Sequence, residues 1–182
     1  MSGDPTNVNL WQNADVYIAP SGTVGPTDVS TAWGASWDAV GLLDGDKGFT
    51  EARSDTQNEL FAWGGLLVKR TKSKHKRTIK FIALEDNDIV FNLVNPGSTR
   101  TTASGITTAG VKVPTNAEFA IGFETRDGNK VRRRSVLRAT VEAIGDVVDS
   151  EGSLAAYEVT VVLYPASDGT LYTDVSGTVT GP

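Results

Sequence analysis

The chain has 182 residues, 39% hydrophobic and 21% charged, with a net charge of −5 and a pI near 4.9. That length suits one compact domain burying roughly 70% of its unfolded surface, and the composition excludes wholesale disorder. The acidic balance disfavours generic DNA binding, which rests on neutralising phosphates, and the lack of Cys removes disulfides, thiolate nucleophiles and Cys-ligated metals.

Val and Thr supply 41 residues, and β-branched side chains suit a pleated surface, so the expected fold is mainly β. Residues 1–13 (MSGDPTNVNLWQN) are polar and read as an N-terminal arm; they lack the basic and apolar regions of a signal peptide. No apolar run approaches the ~20 residues of a membrane helix, so no membrane role is expected and synthesis belongs in a cytoplasm. No repeat or change of composition divides residues 14–182, which are expected to form a single β-rich domain.

Strands are expected at 14–19, 38–43, 48–53, 56–63, 65–71 and 76–85. The first breaks at Pro20 into a Gly/Pro/Ser/Thr loop. A helix is expected over 85–95: Glu85, Asp86, Asn87 and Asp88 favour an N-terminus, and Ile89, Val90, Leu93 and Val94 share a face. Asn95-Pro96-Gly97 stops it. A strand using Ile89, Phe91 and Leu93 is the alternative.

Residues 98–115 (STRTTASGITTAGVKVPT) form either a functional loop or an extended edge segment. Phe119, Ile121, Phe123 and Thr125 then alternate with Ala120, Gly122, Glu124 and Arg126, and Asp127-Gly128 signals a hairpin returning through Val131–Leu137. A three-residue loop would set Glu124 beside Arg132 and Glu118 beside Arg138; a two-residue loop would oppose Ile121 to Arg134. The charge pairs favour the first. With further strands at 139–148 and 155–164, about ten strands and one helix describe a β-sandwich or partly closed barrel with one flanking α-helix.

Catalytic chemistry has few carriers. His75, the only histidine, lies in the basic run Lys69-Arg70-Thr71-Lys72-Ser73-Lys74-His75-Lys76-Arg77, a poor setting for the buried His–carboxylate contact of a nucleophilic triad. Asp44-Gly45-Asp46 resembles the start of a calcium loop but lacks the later ligands and the closing Glu. No cofactor or enzymatic turnover is expected. Trp11, Trp33, Trp37 and Trp63 could stack on sugars, but tryptophan more often fills a core or an interface. The basic run has two readings. It is a solvated loop, or a protruding loop whose Lys69, Arg70, Lys72, Lys74, Lys76 and Arg77 dock on an acidic face of a sister copy.

The order of elements from Ala14 to Gly65 resembles the N-terminal half of major tail tube proteins from long, non-contractile-tailed phages. Asp15-Val16-Tyr17-Ile18-Ala19-Pro20 with its loop, Trp37 through Val40-Gly41-Leu42, Thr50-Glu51 and Trp63-Gly64 stand in that family's order. Lys76–Gly97 resembles its strand–helix element ending in NPG, and the strands from 117 to 172 resemble its closing hairpin region. The resemblance implies a β-sandwich with one helix, assembled as homo-hexameric rings stacked into a tube in the virion tail. The implied partners are itself, a tape-measure protein and the tail terminator and baseplate proteins, with DNA only in transit. Six copies at −5 would give −30 per ring, an acidic conduit to which DNA does not adhere. The chain stops at Pro182 without the immunoglobulin-like domain of longer members, so host-surface adhesion is not expected of it. The rival reading is a β-sandwich carbohydrate-binding or adhesin module.

Overall fold

The computed structural model describes residues 3–4 and 7–179. Residues 1, 2, 5 and 6 of the expected arm, and 180–182 of the expected domain, lie outside the described residues. The strands are β1 (Asn13–Pro20), β2 (Asp38–Ala39), β3 (Thr50–Phe61), β4 (Leu67–Ala83), β5 (Thr99–Ala103), β6 (Ile106–Gly110), β7 (Phe119–Asp127), β8 (Lys130–Ile144), β9 (Tyr157–Leu163) and β10 (Thr173–Thr178). The helix α1 spans Asp88–Val94.

Among the described residues, one antiparallel sheet runs in the order β2-β1-β7-β8-β9-β4-β3, and β5 and β6 form a separate two-stranded sheet. The long β8 is the pivot. Its first half bonds β10 through Lys130–Ser135, and its second half bonds β9 through Ala139–Ile144. A register shift near Glu142 bends β8, as an extra residue in one strand does. The sheet therefore turns over without closing into a barrel. Val16, Ile121, Phe123 and Val136 meet Ile79, Phe81, Val159 and Val161 in one packed core, giving a β-sandwich with one flanking helix.

The helix closes one side of that core through Val90 and Leu93. It starts three residues later than expected. Asn87 is the N-cap, its Oδ1 accepting from Val90 N at 2.9 Å. Glu85 serves elsewhere, accepting from Leu42 N at 2.7 Å and so tying the 41–49 segment to the start of the helix. Asn95 N returns to Phe91 O, and Pro96 and Gly97 (φ 87°) end the helix as expected.

Several local expectations change. The segments 48–53 and 56–63 are one strand, as are 65–71 and 76–85, and 131–137 continues into 139–144, because no Gly or Pro interrupts these runs, while 38–43 is a strand only at Asp38–Ala39. The stretch 98–115 contains the β5–β6 hairpin, turned at Ser104 (φ 52°) and Gly105 (φ 76°), where a left-handed backbone suits Gly. The β7–β8 hairpin takes neither expected register. Its turn is Gly128-Asn129, so Glu124 faces Arg133 and Ile121 faces Val136. Glu118 and Arg138 do pair, at 2.9 Å.

That register creates a second buried layer. Ala120, Gly122 and Glu124 point away from the main core, and the segment 21–37 folds over them. Trp33 stacks on Tyr17, contacts Trp37 edge-on and donates Nε1–H to Glu124 Oε2 at 2.7 Å. Glu124 is fully buried and also accepts from Arg133 Nε at 2.7 Å and from Arg126. Arg133 in turn donates to the carbonyls of Asp28 (2.9 Å) and Thr31 (2.6 Å). A segment that reads as a free polar loop is pinned at its middle by a buried ion pair and an indole.

Candidate assembly surface

Beyond residue 77 toward the tip, β3 and β4 leave the sandwich as a two-stranded ribbon. β9 bonds β4 only over Thr78–Ala83, so both edges of the ribbon are open from Arg53/Arg77 outward. Every residue from 52 to 76 is exposed. At 3.3 Å per residue the ribbon reaches about 30 Å from the body. A register shift at Ser54/Thr56, with Lys74 at φ 55°, marks a bulge that re-aims it. An isolated two-stranded ribbon is marginal in water, so this arm lacks the burial that would make it stable by itself.

Its charge is the reverse of the body's. Residues 53–77 hold seven of the seventeen Lys/Arg and two of the twenty-two Asp/Glu, for +5, leaving −10 on the remainder. The expected interface residues all lie on β4 in this ribbon, so the basic run is a strand rather than a loop. It stays extended because Leu66–Leu84 contains no Gly, Pro, Asn or Asp and the alternating cations face water on both sides. Arg70 pairs with Glu59 at 3.4 Å, Lys72 with Asp55 at 3.7 Å, Lys76 with Glu142 and Arg77 with Glu51 at 3.4 Å. Lys69 and Lys74 have no ion-pair partner among the described residues. Exposed pairs of this kind contribute at most about 1 kcal/mol each, so they orient side chains more than they hold the ribbon together.

The tip is apolar. Leu60, Phe61, Leu66, Leu67 and Val68 are all exposed, and Trp63 is 103% exposed, with Gly64 and Gly65 at positive φ turning the chain beneath it. Such a contiguous exposed apolar patch marks an interaction site. The charge run drew attention to this hairpin, but its apolar end was missed. The available signal was Leu60–Val68, apolar on both faces around Gly-Gly, a pattern that a half-buried strand does not show.

In the body, between β1, the 41–49 segment and β4, lies a cleft of about 630 Å³. Leu42, 69% exposed, and the half-buried Phe49 present its apolar surface, with Phe81 and Phe123 closed in the core behind them in edge-to-face contact. Asp15, Asp44 and Glu85 line it, while its two arginines are already engaged, Arg132 by Asp174 and Arg134 by Glu51.

The remaining chemistry-bearing residues serve the fold. His75 Nδ1 meets Asp55 at the surface, where this contact is the main cause holding the Asp55 carboxyl below its usual range. No hydroxyl joins the pair among the described residues. Asp44 Oδ1 accepts from Asp46 N at 2.9 Å, closing its own turn. Among the described residues no group of three His, Asp or Glu is placed to hold a metal. No helix among them is long and apolar enough to cross a membrane. The tryptophans form no common platform, since Trp33 and Trp37 pack together under the sheet and Trp63 stands alone on the arm.

A sandwich whose polar residues serve its own packing, and which projects an unsupported ribbon, is a structural building block. The chain belongs to the phage tail tube protein family, whose model matches residues 1–179. It is a structural subunit of a phage tail tube, a virion component that assembles with itself and with other tail components. No curated protein matches it.

Proposed function

We propose that this subunit builds the tube of a long, non-contractile tail. Six copies close a ring, and rings stack into the conduit through which DNA leaves, around a tape-measure protein and between terminator and baseplate proteins. The subunits are made in the host cytoplasm and act as one body, 14–182, carrying the 1–13 arm. The observation that carries the reading is the β3–β4 ribbon, which is open at both edges, apolar at its tip and +5 on a body of −10. Lys69, Arg70, Lys72, Lys74, Lys76 and Arg77 then face a sister copy, because an acidic self-assembling body supplies the nearest opposite charge.

The test is assembly of the purified chain, followed by light scattering and negative-stain microscopy. Rings and tubes support the reading, and dispersed monomers at high concentration in kosmotropic salt overturn it. Changing Lys72, Lys74 and Lys76 together to Glu leaves the body folded and impairs assembly. If that triple variant forms normal tubes while the wild type binds oligonucleotides and the variant does not, the basic strand faces the conduit instead.

A further inference from the structure

We infer that Trp63, at the tip of one copy's arm, seats in the cleft of a second copy, against Leu42 and Phe49. This contact rests on the tube reading above and names the surface that receives the arm.

Three observations converge on it. The arm cannot serve its own cleft. The ladder is continuous from Ile79, which lines the cleft, to Leu67 near the tip, so about 40 Å of ribbon separates them. The occupant therefore comes from another molecule. The chemistries also match. An indole on an apolar tip meets the exposed Leu42 and the half-buried Phe49, whose ring offers an edge-on or offset aromatic contact. A volume of about 630 Å³ lies within the range of sites that engulf a sizeable group, enough for Trp63 with a neighbour such as Phe61. Finally, the charges are complementary. The cations flanking the tip, led by Lys69, approach Asp44 and Glu85, which no cation pairs among the described residues, while Asp15 is held by Arg126, and Arg132 and Arg134 by their own carboxylates.

Knob and cleft are separate surfaces, about 40 Å apart along the ribbon, so unless two copies exchange arms reciprocally the contact is heterologous. Each copy gives its arm to one neighbour and receives an arm from another. Such contacts propagate until a rotation closes them, the geometry that rings and stacked tubes require.

Because the chain has no Cys, engineered thiols report the contact without background. Subunits carrying Ala62→Cys, which keep Trp63, are mixed with subunits carrying Leu42→Cys, assembled and oxidised. The expected result is a disulfide-linked dimer that forms only in the assembled sample, since bridging needs Cα atoms within about 7 Å. Ala62→Cys mixed with Ile106→Cys, on the exposed β5–β6 hairpin, gives none. In parallel, Trp63→Ala raises the critical concentration for assembly about 30-fold, as loss of an interface anchor does, with the near-ultraviolet signal of the body retained. Cross-linking to Ile106→Cys, or no cross-link in well-formed tubes, overturns the contact. So does Trp63→Ala assembling like the wild type. A wild-type chain that forms no rings or tubes overturns the tube reading first, and the contact with it.

Discussion

The molecule contains two long antiparallel hairpins rich in cations, and they stand at opposite extremes of burial. In β7–β8 both faces are covered, one by the main core and the other by the 21–37 segment, so even Glu124 is fully buried and three donors saturate it. In β3–β4 both faces and both edges beyond residue 77 face water. The ladder alone does not separate them; what is laid over the ladder does. A central hairpin holds its shape by burial within the chain, whereas nothing among the described residues covers the arm.

That contrast breaks most sharply in the core. Phe123→Ala removes the ring between Phe49 and Phe81 and is expected to cost about 3–5 kcal/mol in urea unfolding. A loss under 1 kcal/mol would mean that the two faces of β7 are not equally packed. Glu124→Ala follows at about 3 kcal/mol, because it strands the buried Arg133 guanidinium. Adding Arg133→Met should recover part of that loss, and a double variant weaker than the single would show that the ion pair is not the source. Gly122→Ala is expected to cost about 1–3 kcal/mol, since its Cβ would overlap the Trp33 ring. Hydrogen exchange should then rise through 21–37 while α1 keeps its protection. Cutting the arm at residues 55 and 74 and closing it with a two-residue turn is expected to change body stability by under about 1 kcal/mol. A larger drop would make the arm part of the body's own core.

The smallest effect is a titration. Asp28 accepts from the amides of Ser30 and Thr31, and its carboxyl is held down at about 2, with the Thr31 backbone bond the leading cause. A depressed carboxylate contributes stability that is fully present above the unfolded value near 3.8 and is lost as pH falls through about 2. Carbon-detected NMR should place the Asp28 midpoint near 2, with the 28–31 turn loosening only below it. A midpoint near 4 would show that the turn is open in solution.

The alternation along β7 was legible because period two survives even when both faces are buried, but what covers the second face was not. Only long-range contacts, Trp33 to Glu124 across 91 residues and Arg133 to the carbonyls of Asp28 and Thr31, reveal that the 21–37 loop lies there. The hairpin register failed for a related reason. Arg132, Arg133 and Arg134 each offer Glu124 a cation, so local charge could not choose among them. Arg133 is selected by the carbonyls of Asp28 and Thr31, a hundred residues away. The basic run showed its exposure in sequence but not its strand conformation, because charge reads as solvation and solvation was equated with a loop. The helix was found because its signal is local, a polar cap followed by an apolar stripe and then Pro-Gly.

The open rims of the arm have a consequence for the pool of free copies. Unpaired strand edges are templates for one another, and a concentrated pool of this chain holds many of them at once. Two arms meeting rim to rim bring +5 against +5, whereas an arm meeting a body brings +5 against −10. The lysines and arginines thus act as a proofreading repulsion, turning arms away from fibril-like stacking while arm and body attract. At 1 M salt, where the screening length shrinks to about 3 Å, that discrimination fades, and tangled aggregates should compete with ordered assemblies.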